Sequence, residues 1–444
     1  MNHLQSKMNP YRLYLFGMEL SSSVFVALAY TTATLYYVTS AQLNPLQLVA
    51  LGTSLELSYF VLQLPTGVAA DLVSRRLSVV LGWLLVGIGF AAQGFTTNFP
   101  MLLAAQAILG AGAALQSGAQ EAWIADELDE TAMTPVYLRA AQLGTVGTLI
   151  GAALSGVLAS VERNVPLIVS GLGILAVGCF LGVAMPERHF HRSEQALDAG
   201  GVGKRAWAMF TEQLSDARTA ILAVGGFALL LGMSFFVGVW SESFDRLWGA
   251  YFIADVGFPS LLGLSDAGWF SVIAIVVALV SLVVTEVTKR RSDRLGPNSL
   301  VGTLLVVTVL SGVGVVVMTS ARPFAVAVVA YLVVQGLRPV TYPLLTGWIV
   351  SRVEPGVRAT ALSARDLFDS GGQILGGPGV GYVGVIGSLR LALYVGAAAL
   401  APAAALLVAA SSKVHTLPKS RSGDLGGHGP DETTAEAKLL PGPL

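Results

Sequence analysis

The sequence predicts an all-α polytopic membrane protein: twelve transmembrane helices in two pseudo-symmetric six-helix bundles. Three observations predict it. The chain is 54% hydrophobic and only 12% charged, against about 25% charged in a soluble domain. It holds about twelve apolar runs of roughly twenty residues or more, long enough to cross a hydrocarbon core of roughly 30 Å. Its basic residues alternate by loop. Of 26 lysines and arginines, about twenty fall on one side, and only Arg163, Arg246, Arg322 and Arg390 in loops on the other. The positive-inside bias makes the richer side cytoplasmic and puts both termini there.

The apolar runs cover residues 11–38, 46–70, 77–95, 100–124, 136–160 and 166–185, then 219–241, 266–287, 299–318, 324–351, 359–384 and 386–410. Glycine and alanine are frequent inside them, as expected where helices approach closely in lipid. Residues 1–10 are a polar N-terminus without a small-residue cleavage site, so no removable signal peptide is expected. Residues 11–186 form the first bundle and 219–410 the second. The polar stretch between them, 187–218, is a cytoplasmic linker that includes Gly200, Gly201 and Gly203. Its part from Arg205 to Arg218 is expected as an interfacial amphipathic helix. The tail, 411–444, has the composition of a disordered segment.

The two halves carry echoes of each other. Glu121-Ala122-Trp123-Ile124 closes the fourth run and Thr346-Gly347-Trp348-Ile349 the tenth. Arg139-Ala140-Ala141-Gln142 opens the fifth, and Arg365-Asp366 lies near the start of the eleventh. Both offsets are about 225 residues, as parallel repeats would give. The basic loop after the eighth run (Lys289, Arg290, Arg291, Asp293, Arg294) is the degenerate partner of the loop after the second.

That second loop carries the chain's most informative motif. Gly67, Asp71, Arg75 and Arg76 sit at the end of one span and the start of the next. The spacing (Gly, three residues, Asp, three residues, two basic residues) resembles the loop-2/3 signature of the major facilitator superfamily. Leu72 and Ser74 replace a basic residue and a glycine often found there. The resemblance covers residues 11 to 410 and implies a rocking, alternating-access transporter. It also implies that Asp126, at the end of the fourth span, joins Asp71 and Arg75 in a latch between spans two, three and four. The alternative is that these charges only solvate a turn.

Charges inside apolar runs mark the remaining candidates. Glu19, Glu56 and Arg338 each cost about 2.5–3.5 kcal/mol to insert at mid-bilayer, so each faces water or a partner. Glu19 or Glu56 is a candidate proton carrier. Arg338 is a candidate anion ligand or a structural ion pair. Glu242 and Asp245, in WSESFDRLWGAYF, lie three apart on one helix face. They read as an acidic gate at the outer end of the seventh span, or as neighbours of a simple aromatic belt. The string Ser-Glu-x-Phe-Asp-Arg-Leu-Trp resembles segments of drug-efflux members of the superfamily, which implies a drug:proton antiporter. Gln106 stands where many such exporters have a mid-helix arginine. Gly147, Gly151 and Gly156 resemble the antiporter glycine pattern without its proline, and Gly376, Gly377 and Pro378 lie in the eleventh span. Tyr30, Tyr36, Tyr37, Gln335 and Tyr342 line a cavity or pack in a core.

Other chemistries are not signalled. There is no GxxxxGK[ST] run for a nucleotide. The histidines, His3, His189, His191, His415 and His428, all lie outside the spans, and Cys179 is the only cysteine, so no metal site or intramolecular disulfide is expected. No enzyme activity or cofactor is expected. The expected partners are a small-molecule substrate, protons and the lipid of the cytoplasmic membrane, not nucleic acid, with the monomer as the functional unit. Proton-linked efflux of drug-like or lipophilic compounds is the reading this supports. A metabolite or organic-anion transporter, and a non-transporting receptor or scaffold, are the alternatives.

Overall fold

In a computed structural model, residues 9–128, 133–190, 226–261, 263–292, 297–353 and 358–415 are described, with positions 204, 207, 208 and 211. The expected interfacial helix and most of the linker and tail lie outside the described residues.

The described chain is helical throughout. The first half comprises α1 (Pro10–Thr39), α2 (Pro45–Leu72), α3 (Arg75–Gly94), α4 (Phe99–Glu127), α5 (Met133–Val161) and α6 (Val165–Ala184). The second comprises α7 (Phe227–Val256), α8 (Asp266–Ser292), α9 (Pro297–Ser320), α10 (Phe324–Arg352), α11 (Arg358–Ile386) and α12 (Leu389–Ser411). Helix starts follow local chemistry. The Asn44 side chain accepts from Gln47 N at 2.9 Å, while the Gln47 side chain accepts from Asn44 N at 3.0 Å. This is a reciprocal capping box, which satisfies two otherwise orphaned N–H groups. Prolines 10, 45, 100 and 166 occupy first-turn positions, where the missing N–H costs nothing.

Eleven of these helices are long and apolar enough to span a membrane. The twelfth, α11, has 29 residues but carries Arg365, Asp366 and Asp369 and many glycines, so its hydropathy alone does not mark it. It nevertheless packs lengthwise on α7 and α2. One expectation is corrected. The seventh apolar run was expected to end at Ser241 with its charges at the outer boundary; α7 instead continues to Val256. Glu242, Asp245 and Arg246 therefore sit inside the helix, and Arg246 is not in a loop. The helix tolerates them because each is paired with an opposite charge (below).

Within the first half α3 packs on α6 and α4, α2 on α4, and α1 on α5. The halves meet along two seams, α2 with α11 and α5 with α8, both at one end of the bundle. At the first, Gly377, Gly381 and Gly384 approach Val49, Leu46 and Pro45 so closely that an added Cβ would come within 2.6–3.1 Å. At the second, Ser271 Oγ donates to Ala152 O at 2.6 Å, and Ser160 and Ser265 share a hydrogen bond of 3.0 Å. One hydrophobic core runs across both halves at this end and continues through the first half to the other. At the opposite end, which carries Arg75, a separate core around Phe227, Trp348 and Leu407 belongs to the second half alone. The halves are joined at the Ser265 end and part towards the Arg75 end.

Candidate functional site

The charges on α7 converge at mid-bundle with partners from three other helices. Arg246 Nε donates to Glu242 Oε1 at 3.0 Å, one turn apart on the same helix. Glu242 is only 3% exposed. This pair lies against Gly52 of α2: a Cβ there would stand 1.7 Å from Glu242 Oε1 and 2.1 Å from Arg246 Nε. Asp245 takes both ends of the Arg338 guanidinium from α10, with Nη2 to Oδ2 at 2.8 Å. Arg338 also donates to Gln335 Oε1 at 3.1 Å, and its guanidinium lies 5.2 Å from the Trp240 ring centre. The bidentate geometry fixes the planar fork of arginine on one carboxylate.

Glu56, on α2, faces this cluster. Its charged surroundings are Glu242, Arg246, Asp369 and Asp245, yet it has no hydrogen bond or ion pair among the described residues. Asp369, on α11, accepts the Gln373 amide at 2.8 Å and has no ion pair among them either. An aromatic-walled cavity of about 220 Å³ opens beside the cluster, lined by Tyr30, Tyr37, Leu48, Asp245, Arg246 and Trp248 among others.

A second group forms at the parted end. Arg75 Nη2 lies 3.2 Å from Asp71 Oδ1, and its Nη1 bonds Asp126 and, at 3.2 Å, the Ala122 carbonyl. Gly118, at φ 74°, breaks α4 between Gln116 and Ala119. That turn, which glycine adopts without Cβ strain, brings Asp126 to Arg75. Arg76 bonds the Gly182 carbonyl of α6 instead. Gly67 meets nothing: a Cβ there would have no neighbour within 4 Å. So Asp71, Arg75 and Asp126 come together, while Gly67 faces open space and Arg76 serves a different helix.

Residues 15–334 match the family described as Major Facilitator Superfamily. The chain belongs to the major facilitator superfamily. It is a multi-pass membrane transporter, not an enzyme. The chain is 20% identical over 349 residues to the uncharacterized MFS-type transporter YxaM of Bacillus subtilis (strain 168), covering 77% of this chain and 81% of that one. Among solved structures it is similar to the nucleoside transporter NupG, with a TM-score of 0.70 at 14% identity over 90% of this chain and 99% of that one. It is also similar to a bacterial homolog of the human lysosomal transporter Spinster in an inward-facing, unoccupied conformation. There the TM-score is 0.68 at 17% identity, over 92% of this chain and 98% of that one. These likenesses are of fold.

Against that major facilitator frame the other candidates sort by their partners. Glu19 sits apart from the centre, in a π-helical stretch of α1 (Leu13–Leu20), and accepts from Gln120 Nε2 at 2.8 Å. Gln106 is fully buried and donates to Gln93 Oε1 at 3.0 Å, while Tyr37 hydroxyl donates to the same oxygen. A neutral amide network thus occupies the mid-helix position on α4. Tyr36 hydroxyl donates to Thr96 O at 2.8 Å, and Tyr342 packs under Arg365 at 4.1 Å. Two residues were not singled out from sequence. Asp369 hides among glycines in FDSGGQ. Glu187 falls in the polar stretch read as a linker. Glu187 accepts from Ser74 Oγ at 2.8 Å and Arg76 N at 3.1 Å, capping the first turn of α3. Among the described residues no group of three histidine, cysteine or acidic side chains is placed to hold a metal ion.

Proposed function

We propose that this chain is a proton-linked exporter of small molecules, working by alternating access, with Glu56 as the proton carrier. One observation carries the reading: Glu56 stands where the halves meet, among four charged side chains, with no partner of its own. An acid so placed has a reason to exchange a proton, because its charged form lacks compensation in a low-dielectric site. The parting of the halves at the Arg75 end supports a rocking cycle. With the basic loops on the cytoplasmic side, this conformation opens inward; the Asp71–Arg75–Asp126 group lies wholly in the first half, where it ties spans two, three and four together at the inner end. An organic-anion substrate would need Arg338, which Asp245 already occupies at both nitrogens.

Flux in proteoliposomes tests this. With ethidium as the probe, an inward-directed proton gradient should drive ethidium against the proton flow, and collapsing the gradient should stop it. Equal flux with and without the gradient rejects proton coupling. No protein-dependent flux of ethidium or any of a panel of labelled solutes favours a non-transporting role.

A further inference from the structure

We infer that the mid-bundle cavity selects small organic cations, an ammonium carried on a compact apolar or aromatic body. The inference rests on the transport reading only in calling this cavity the substrate site.

The argument begins with charge. Four acids and two arginines meet at the centre. Glu242 is bound to Arg246 at 3.0 Å, and Asp245 holds both nitrogens of Arg338. Those four charges cancel in pairs. Glu56 and Asp369 remain, one from each half, with no ion pair among the described residues; Arg365, one turn from Asp369, is itself paired with Asp366. Neither Glu56 nor Asp369 lines the cavity itself, whose charged lining is Asp245 and Arg246; an anion entering there finds both arginines already taken and approaches the two unpaired acids beyond them. A neutral solute leaves the carboxylates as they are. What compensates these acids is either a proton or a cationic solute, and among solutes only a cation can do so.

The walls provide a second, independent indication. The cavity of about 220 Å³ is smaller than the roughly 300–1,000 Å³ of drug-sized sites, so its occupant is small. Tyr30 and Tyr37 from α1 and Trp248 from α7 all line it. Trp248 is held in place by stacking on Tyr331, with ring centres 4.3 Å apart. Aromatic faces grouped in this way attract quaternary and tertiary ammonium ions through the ring quadrupole. Tyr30 also joins the two features, because Glu56, Glu242 and Arg246 all lie within its electrostatic reach. Aromatic walls suit an organic cation and not a bare metal ion, for which the described residues provide no ligand group.

Three probes of matched shape and different charge decide it: benzyltrimethylammonium, its uncharged isostere neopentylbenzene, and the anion benzenesulfonate. Binding to the purified full chain in detergent, without any gradient, is followed by tryptophan fluorescence and by melting temperature. The cation should bind saturably and at least tenfold more tightly than either other probe. Glu56→Gln with Asp369→Asn should cut that preference tenfold or more while leaving neopentylbenzene unaffected. Equal binding of the three probes by the wild-type chain overturns the inference, and so does an unchanged preference in a folded double variant. If the double variant does not fold, the wild-type comparison still decides. A chain that binds the cation but shows no gradient-driven flux keeps this inference and loses the proton-linked one; the reverse result does the opposite.

Discussion

Gly52 of α2 lies directly beneath Glu242 of α7, so close that a methyl group at Gly52 would stand 1.7 Å from the carboxylate oxygen. The two residues belong to different halves, and the space between them holds the buried Glu242–Arg246 pair. Gly52→Ala must displace that pair, and separating a buried ion pair costs on the order of 3–5 kcal/mol. The less costly response is for the halves to shift apart at the seam. The expected outcome is a tenfold or greater loss of transport. In the same background, Ser160→Cys with Ser265→Cys should cross-link less than it does beside a wild-type Gly52. Normal cross-linking would show that the halves do not bear on one another here.

Neutralising Glu56 separates its two suggested duties. Glu56→Gln keeps the shape but neither takes up nor gives up a proton. Ethidium flux in wild-type vesicles should vary with pH on the inner side, and in Glu56→Gln it should be low and flat. A variant whose pH profile matches the wild type would rule Glu56 out as the proton carrier.

The two acids on Arg75 are unequal. Asp71 has 56% of its side chain exposed, Asp126 27%. A solvent-exposed ion pair contributes only about 0.2–1 kcal/mol. Asp71→Asn should therefore reach the membrane at normal levels and melt close to wild type, yet transport at least tenfold more slowly if the group acts as a latch. Asp126→Asn should lower the melting temperature as well. Normal transport by Asp71→Asn would reduce the motif to a solvated turn.

Glu187 is expected to act on stability before transport. Its carboxylate accepts from Ser74 Oγ and Arg76 N at a helix N-terminus, where negative charge is favoured. Loss of such a cap costs about 1 kcal/mol. Glu187→Ala should lower the melting temperature by a few degrees and Glu187→Gln by less. No difference between the two would mean that the charge contributes nothing.

Topology is open to direct labelling. Val73 and Thr97 are exposed at opposite ends of α3. An impermeant maleimide added to intact cells should label Thr97→Cys and spare Val73→Cys, and inverted vesicles should give the reverse.

The fold was readable because lipid imposes a simple rule: a span must be long and apolar, and eleven helices obey it. The exceptions are instructive. Residues 242–256 were misplaced because SESFDR is polar as a string, and its partners, Arg338 on α10 and Gly52 on α2, lie far away in sequence. Asp71 and Arg75 were legible from the spacing of their motif, and Asp126 only through the family resemblance, since nothing local links it to a loop about fifty residues earlier. Asp369 was not, because an acid among glycines has no periodic signature. Glu187 resembled ordinary linker charge, and only the return of the chain past Ser74 gives it a role.

The polarity of α11 bears on how the protein is made. Charged side chains are costly to place in a spanning helix, and α11 carries Arg365, Asp366 and Asp369 in its first half besides Arg358 at its start. By itself it would not leave the translocon for lipid. It packs on α2 and α7, both synthesised earlier, so those helices form the surface that receives it. Assembly of α11 therefore depends on the earlier helices: in a nascent chain long enough to clear α11 from the ribosome, deleting α2 and α7 should leave α11 accessible to a water-soluble reagent that the intact chain excludes.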